Sequence, residues 1–290
     1  MRQNIEGKCR NILLDNIDDF PEHPFKVIDN EEMQDMVDSI KTNGVLVPAI
    51  VRQKEDGRYE MISGHRRKFA SRLAGLETIP CVVRDYTDDE ATIMMVDSNK
   101  QREIILPSEK AFAYKMKLEA QKQQGKRNDL TSSQVATKLK GTADKIGAEF
   151  NESRDTVYRY VRLTNLIPEL LKLVDEERIA FSPAVEISYL KEDEQYVLHN
   201  IYEYDDVTPN QSQAKHLKML SQEGKLTAEK IEELMEKPKA NQIEKLKLNY
   251  ERIRKILPSY VKTEQQAEDF IEKCIKEHNA REEKKREYAR

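Results

Sequence analysis

Tryptophan is absent from the 290 residues, aromatic side chains make up 7%, and there are only nine glycines. Hydrophobic residues reach 38% against 35% charged. That balance excludes one large apolar core and favours two or three small ones joined by exposed helices. No apolar run is long enough to span a bilayer, and no signal peptide opens the chain, so the sequence predicts a cytoplasmic protein without a membrane partner. The cysteines, Cys9, Cys81 and Cys274, are odd in number and far apart. They exclude a disulfide framework and point to a reducing compartment. The five histidines stand singly, so no metal-ligand cluster shows. No paired-carboxylate, Ser-His-Asp or Cys-His arrangement has supporting local context.

What the chain has is charge, unevenly spread. The net charge of −4 divides into −6 over residues 1–109, +6 over 110–172, −9 over 173–236 and +5 over 237–290. A basic block inside an acidic protein is the footprint of a nucleic-acid contact. An alternating charged helix surface would give the same count, so a motif has to decide.

The pattern along the chain predicts an α+β fold. Ile12-Leu13-Leu14 is a possible strand. Glu31 to Thr42 reads as a helix with Met33, Met36, Val37 and Ile40 on one face, closed by Asn43-Gly44. Gly44 to Arg52 runs from a turn into an apolar strand, and Asp56-Gly57 makes a hairpin into a strand at Tyr59. Ile79 to Val83 is another strand, and Thr87 to Glu90 a capping box opening a helix through Val96. Residues 1–105 therefore read as a small α/β domain. From Pro107 on the pattern is helical: Ser108 to about Gln124, a cap at Thr131 to Gln134, and a start at Thr208-Pro209-Asn210-Gln211 with proline at the first helical position. Residues 106–236 form the helical region, Lys237-Pro238-Lys239 a linker, and 237–290 a charged C-terminal helical segment. In that segment Thr263 to Gln266 caps a stripe of Ala267, Phe270, Ile271, Cys274 and Ile275, which has little to bury against except a second copy or residues 240–257.

Two stretches carry chemistry. In Tyr59 to Ala70 a strand turns through Gly64 into a helix whose first residues are His65, Arg66 and Arg67. Free N–H groups and the positive dipole end favour an anion there, and two guanidinium forks suit phosphate. At 142–166, Ala143, Ile146, Gly147 and Phe150 suit a short helix, Asn151-Glu152 a turn, and Ser153 the cap of a second helix with Val157, Val161 and Leu166 inward. That is the pattern of a helix-turn-helix, whose second helix enters the major groove. Arg154, Thr156, Tyr158, Arg159 and Arg162 would face out, together with Ser153 at the cap, towards phosphates and base edges. An ordinary helical hairpin is the structural alternative.

Gly64-His65-Arg66-Arg67-Lys68-Phe69-Ala70 resembles the Gly-x-Arg-Arg-x-x-Ala box of the ParB chromosome- and plasmid-partition proteins. Gly44-Val45-Leu46-Val47-Pro48 with Val51-Arg52 is similar to that family's preceding box. Asn99-Lys100-Gln101-Arg102 and Leu106 to Tyr114 are similar to its third box and following helix, and Ile179 to Ala184 to a later helix start. The resemblance covers roughly residues 10–190, boxes and helix-turn-helix in order. It implies an N-terminal ParB/sulfiredoxin-like domain that binds CTP, a DNA-binding middle that recognises a centromere-like site, and a C-terminal dimerisation segment. It further implies a homodimer, a ParA-type ATPase as partner, and CTP closing the dimer into a sliding clamp on double-stranded DNA.

On that resemblance Gly44, Pro48, Gly64, His65, Arg66, Arg67, Asn99, Gln101 and Arg102 hold the nucleotide, and Asn99 the Mg2+ ion that bridges the phosphates. Two departures stand out: His65 replaces a usual acidic residue, and Ser98 stands where a glutamate usually precedes the asparagine, with Asp97 one place back. CTP hydrolysis is therefore an open question at this level. Sulfiredoxin resembles the same domain but needs a cysteine in its Gly-Cys-His-Arg box, and Gly64 stands at that place. A transcriptional regulator or a nucleoid-occlusion-like factor on the same fold is the runner-up. A ParB-domain nuclease lacks the carboxylate cluster it would need.

Overall fold

The computed structural model describes residues 9–102, 104–128 and 135–236, and part of 257–276. Two compact units result, Met1–Lys237 and Pro238–Arg290. The first opens with β1 (Cys9–Leu13), a 3-10 turn (Leu14–Asn16), β2 (Ile17–Asp18) and α1 (Glu31–Asn43). There follow β3 (Ala49–Gln53), β4 (Tyr59–Ser63), α2 (His65–Leu73), β5 (Thr78–Val83) and α3 (Asp88–Asn99). The mixed sheet has the order β1-β5-β3-β4-β2. β1 pairs antiparallel to β5 and β3 to β4, while β5–β3 and β4–β2 are parallel.

Period-two alternation explains the two faces. Ala49, Val51, Met61, Ile79, Cys81 and Val83 pack with Ile12, Leu14 and Ile17 on one side. Ile62 lies on the other with Phe20, Phe25, Ala91, Met95 and Val96. Helices α1 and α2 share their own cluster of Met33, Val37, Ile40 and Ala70, which Val45 joins to the first face. The α+β fold read from the sequence is the fold observed.

The remainder of the unit is helical: α4 (Pro107–Asn128), α5 (Val135–Glu149), α6 (Arg154–Leu163), α7 (Pro168–Asp175), α8 (Phe181–Ile187), α9 (Glu192–Asp205), α10 (Gln211–Gln222) and α11 (Ala228–Glu236). α4 is the spine, lying against α3 on one side and α5, α6 and α7 on the other. Its Tyr114 is fully buried with Ala143, Ile146 and Val157, so α5 and α6 are folded against it. A larger cluster from Leu163 to Met235 holds α6 to α11 together.

Several boundaries differ from the sequence reading. β1 ends at Leu13 because Leu14 already turns. α3 runs to Asn99 rather than Val96, so Asn99 is a helical residue. α4 runs to Asn128, and α5 starts at Val135, well before residue 142. At α10 the cap is Asn210, whose carboxamide accepts from Ser212 N and Gln213 N, so Pro209 precedes the helix instead of opening it. α7, α9 and α11 have no motif that singled them out. The cap at Thr131 to Gln134 and the 240–256 stretch lie outside the described residues. In the second unit Thr263 and Gln266 make the two reciprocal bonds of a capping box, and Ala267, Phe270, Ile271 and Cys274 are helical. Ile275 is outside the described set.

Candidate functional site

The first site is built around Gly64. Its φ of +112° is a left-handed conformation that favours glycine, and a Cβ there would sit 3.0 Å from the Cβ of Ala49. β4 can therefore turn directly into α2, whose first turn has no side-chain cap. The N–H groups of that turn and the positive end of the helix are left for an anion.

The two arginines behind Gly64 differ. Arg67 donates from Nη1 to the carbonyls of Val47 and Pro48, at 2.5 and 2.7 Å, and so fastens the Gly44–Pro48 loop to α2. Burial pulls its guanidinium below the usual value. Arg66 reaches only Glu32 of α1, at 3.2 Å, and its Nε is buried without a hydrogen-bond partner among the described residues. A buried N–H without a partner is a donor that an anion can satisfy. Gly44, at φ +69°, donates its N–H to Ile40 O and closes α1. Leu46 and Val47 lie exposed on the loop it starts.

His65 points inward. It is 9% exposed, its Nε2 accepts from Phe20 N at 3.4 Å, and the His23 ring lies 3.7 Å away. Burial, with His23 beside it, lowers its pKa to about 3, so the ring is neutral. The usefulness of His65 is structural, since it holds the segment Phe20–Lys26 against α2. At the other end of that segment Arg102 donates to Lys26 O and to Glu109, and lies over the Phe25 ring. Glu109 also accepts from Lys26 N and Leu106 N. Lys26 Nζ and Ser108 both bond Asp175 of α7. Phe20–Lys26 thus ties α2 to the starts of α4 and the helical core.

Asn99 ends α3 with its amide donating to Met95 O, and Gln101 is exposed in the turn that follows. The structure brings Pro48 and Gly64 to Arg67, starts the loop between them and α1 at Gly44, and ties Arg102 and His65 to one strap. His23, Glu32, Glu109 and Asp175 were not singled out from the sequence. Each also has a distant partner: Arg66 for Glu32 at 34 residues, Lys26 for Glu109 at 83 and for Asp175 at 149, and His65 against His23, and no local pattern reports that.

The second site is the helix pair α5–α6. Ser153 caps α6, its Oγ accepting from Thr156 N at 3.1 Å. Gly147 is essential to the turn, because a Cβ there would lie 2.5 Å from Glu152 O. Val157 and Leu163 are buried, leaving Arg154, Tyr158 and Arg159 on the outer side. Arg154 pairs with Asp155. Arg159 donates to Ser182 Oγ at 2.8 Å and lies over the Phe181 ring. Arg162 donates to Ser188 O at 2.8 Å, with the Tyr189 ring 3.9 Å from its guanidinium carbon. A groove of about 430 Å³ opens here, lined by Tyr158, Arg159 and Arg162 together with Lys115, Val185 and Tyr189. The last three were missed because they come from α4 and the end of α8. Three cations and no carboxylate line it.

Residues 2–100 match the family described as the ParB N-terminal domain. The chromosome-partitioning protein Spo0J of Thermus thermophilus is 34% identical over 184 residues, covering 63% of this chain and 61% of that one. A nucleoid occlusion protein of Halalkalibacterium halodurans is 28% identical over 224 residues, 77% of this chain and 67% of the relative. Two crystal structures of C-terminally truncated chromosome-partitioning ParB from Caulobacter crescentus are also similar. The one complexed to the centromeric parS site is 22% identical, covers 79% of this chain and 100% of its own, and has a TM-score of 0.41. The one complexed with CTP-γ-S is 25% identical over 67% and 98%, with a TM-score of 0.31. The chain spans about six tenths of the length of the Thermus relative. Over residues 2–100, then, this chain matches the ParB N-terminal domain.

Proposed function

We propose that the chain is a site-specific DNA-binding partition protein whose hold on DNA is gated by CTP. The observation that carries the reading is the presence, in one compact unit, of an arginine-bearing helix start without a side-chain cap and of the helix pair α5–α6 packed on α4. A triphosphate at α2 would meet free N–H groups, the orphan Arg66 Nε and the loop that Arg67 fixes. A duplex at α6 would meet Arg154, Thr156, Tyr158 and Arg159. A homodimer joined through residues 237–290, closing around DNA and serviced by a ParA-type ATPase, completes the proposal. The nucleotide-binding domain is residues 1–105 and the DNA-binding domain 106–236.

The test is retention on DNA. Sequences selected from a random pool are fixed at both ends, and dissociation is followed with and without CTP. Slow release that requires both the selected site and CTP is the expected result. Release unaffected by CTP overturns the gating, and a pool with no preferred sequence overturns site-specific binding. Nucleoid occlusion on the same fold is the second reading. It is favoured by the Halalkalibacterium relative, whose similarity runs over more of both chains than that of the Thermus protein. A ParA-like reading frame beside the gene favours partition.

A further inference from the structure

Asp97 lies two places before the Asn99 that opens the third box, and the structure shows where it is used. Its Oδ1 is paired with Lys117 Nζ from α4, and the same ammonium pairs with Glu149 of α5. The Lys117 side chain is 1% exposed, while its two acids are each about a third exposed. An ammonium so deeply buried needs both carboxylates, and withdrawing one leaves charge uncompensated in a low-dielectric interior. Asp97 is therefore committed to holding α3, α4 and α5 together.

The neighbouring oxygens are committed as well. Ser98 donates its hydroxyl to Met95 O at 2.9 Å, and the Asn99 amide donates to the same carbonyl at 2.9 Å. Glu109 serves Lys26 N, Leu106 N and Arg102. Among the described residues no three His, Cys, Asp or Glu side chains are grouped to hold a metal ion. Magnesium is held by one or two carboxylates together with phosphate oxygens and water. Among the described residues around Asn99 the protein offers one neutral carboxamide oxygen and carboxylates that are already paired, so this donor set does not fit a magnesium ion anchored by the protein.

We infer that the α2 site takes its nucleotide triphosphate through arginines and backbone N–H groups alone, without a magnesium ion held by the protein. The inference rests on the nucleotide-binding reading given above. It follows that magnesium acts only on the free nucleotide and that affinity is nearly indifferent to it. Lys117 is then a positioning residue: it keeps Asp97 on the helix-turn-helix side and away from the phosphates.

Calorimetry of CTP against the full chain, in magnesium and in EDTA, tests this. Affinities within about threefold of each other are expected, and a loss of about tenfold or more in EDTA overturns the inference. No binding in either buffer instead overturns the nucleotide reading, and this inference with it. Two variants read the cause. Ser98→Glu places a carboxylate on an exposed position beside Asn99 and is expected to create a dependence on magnesium of about tenfold. Lys117→Met releases Asp97 and is expected to create a smaller one. Should both variants fold, as followed by circular dichroism, and both stay indifferent to magnesium, Asp97 is not what the wild type lacks and the inference fails. Ser98→Glu alone decides if Lys117→Met does not fold.

Discussion

Two pairs of arginines sit on two short helices, and each pair is divided in the same way. On α2, Arg67 is fixed to two backbone carbonyls, whereas Arg66 holds a single exposed acid. On α6, Arg162 is fixed to the carbonyl of Ser188 and the face of Tyr189, whereas Arg159 holds the hydroxyl of Ser182. A side-chain partner can be exchanged for a phosphate at little cost, because both released groups return to water. A backbone carbonyl in a packed loop cannot leave so easily. The sequence gives all four arginines equal standing as ligand contacts. The structure makes one of each pair a fastener and leaves the other available.

The comparison breaks first on α2. Arg66→Ala is expected to lower CTP affinity by roughly ten- to hundredfold, about 1.5–3 kcal/mol, with the urea midpoint unchanged. Arg67→Ala is expected to lose binding too, but with a stability loss of about 1–3 kcal/mol, because two carbonyls lose their donor. Calorimetry paired with urea denaturation separates them, and equal stability of the two variants would sink the division. On the α6 side the hinge is Gly147. Gly147→Ala drives a Cβ into Glu152 O and is expected to cost about 1–3 kcal/mol, abolishing DNA binding while CTP binding persists. Loss of both activities together would mean that the two sites do not fold separately.

The strap beside α2 adds a pH dependence. Unfolded histidine titrates near 6.5, whereas His65 in the fold titrates at about 3. Between those values the unfolded chain binds the extra proton, so stability is full above pH 6.5 and falls as the pH drops towards 3. The expected loss is about 2 kcal/mol at pH 5, and His23, lowered in the same direction by burial, adds to it. Urea midpoints at pH 7 and pH 5 measure this, and a His65→Gln variant with an undiminished slope would assign the effect elsewhere. The smallest difference is on α6 itself. Arg162→Ala is expected to cost about 0.5–1.5 kcal/mol of stability. Arg159→Ala is expected to leave stability alone and relax sequence preference, by about 1–3 kcal/mol for a base-reading contact. Binding selections and salt titrations on both variants distinguish the two roles. A uniform loss over all sequences for Arg159→Ala would make it a phosphate contact.

Local chemistry alone determined much of this protein. Glycine at 64 and at the end of α1, the Thr87 and Ser153 caps and the alternation in β5 each act within a few residues. Such signals are written in order along the chain, which is why the α+β fold, the arginine-bearing turn and the Ser153-capped helix are legible in it. Tertiary structure decided which charges remain available. Lys117 meets Asp97 and Glu149 across 20 and 32 residues, Arg162 meets Ser188 across 26, and Lys26 meets Asp175 across 149. Sequence spacing carries no trace of these pairings, because burial and partner choice arise only when separate elements pack. A charge is a ligand contact or a fastener according to what lies opposite it, and only the folded chain places something there.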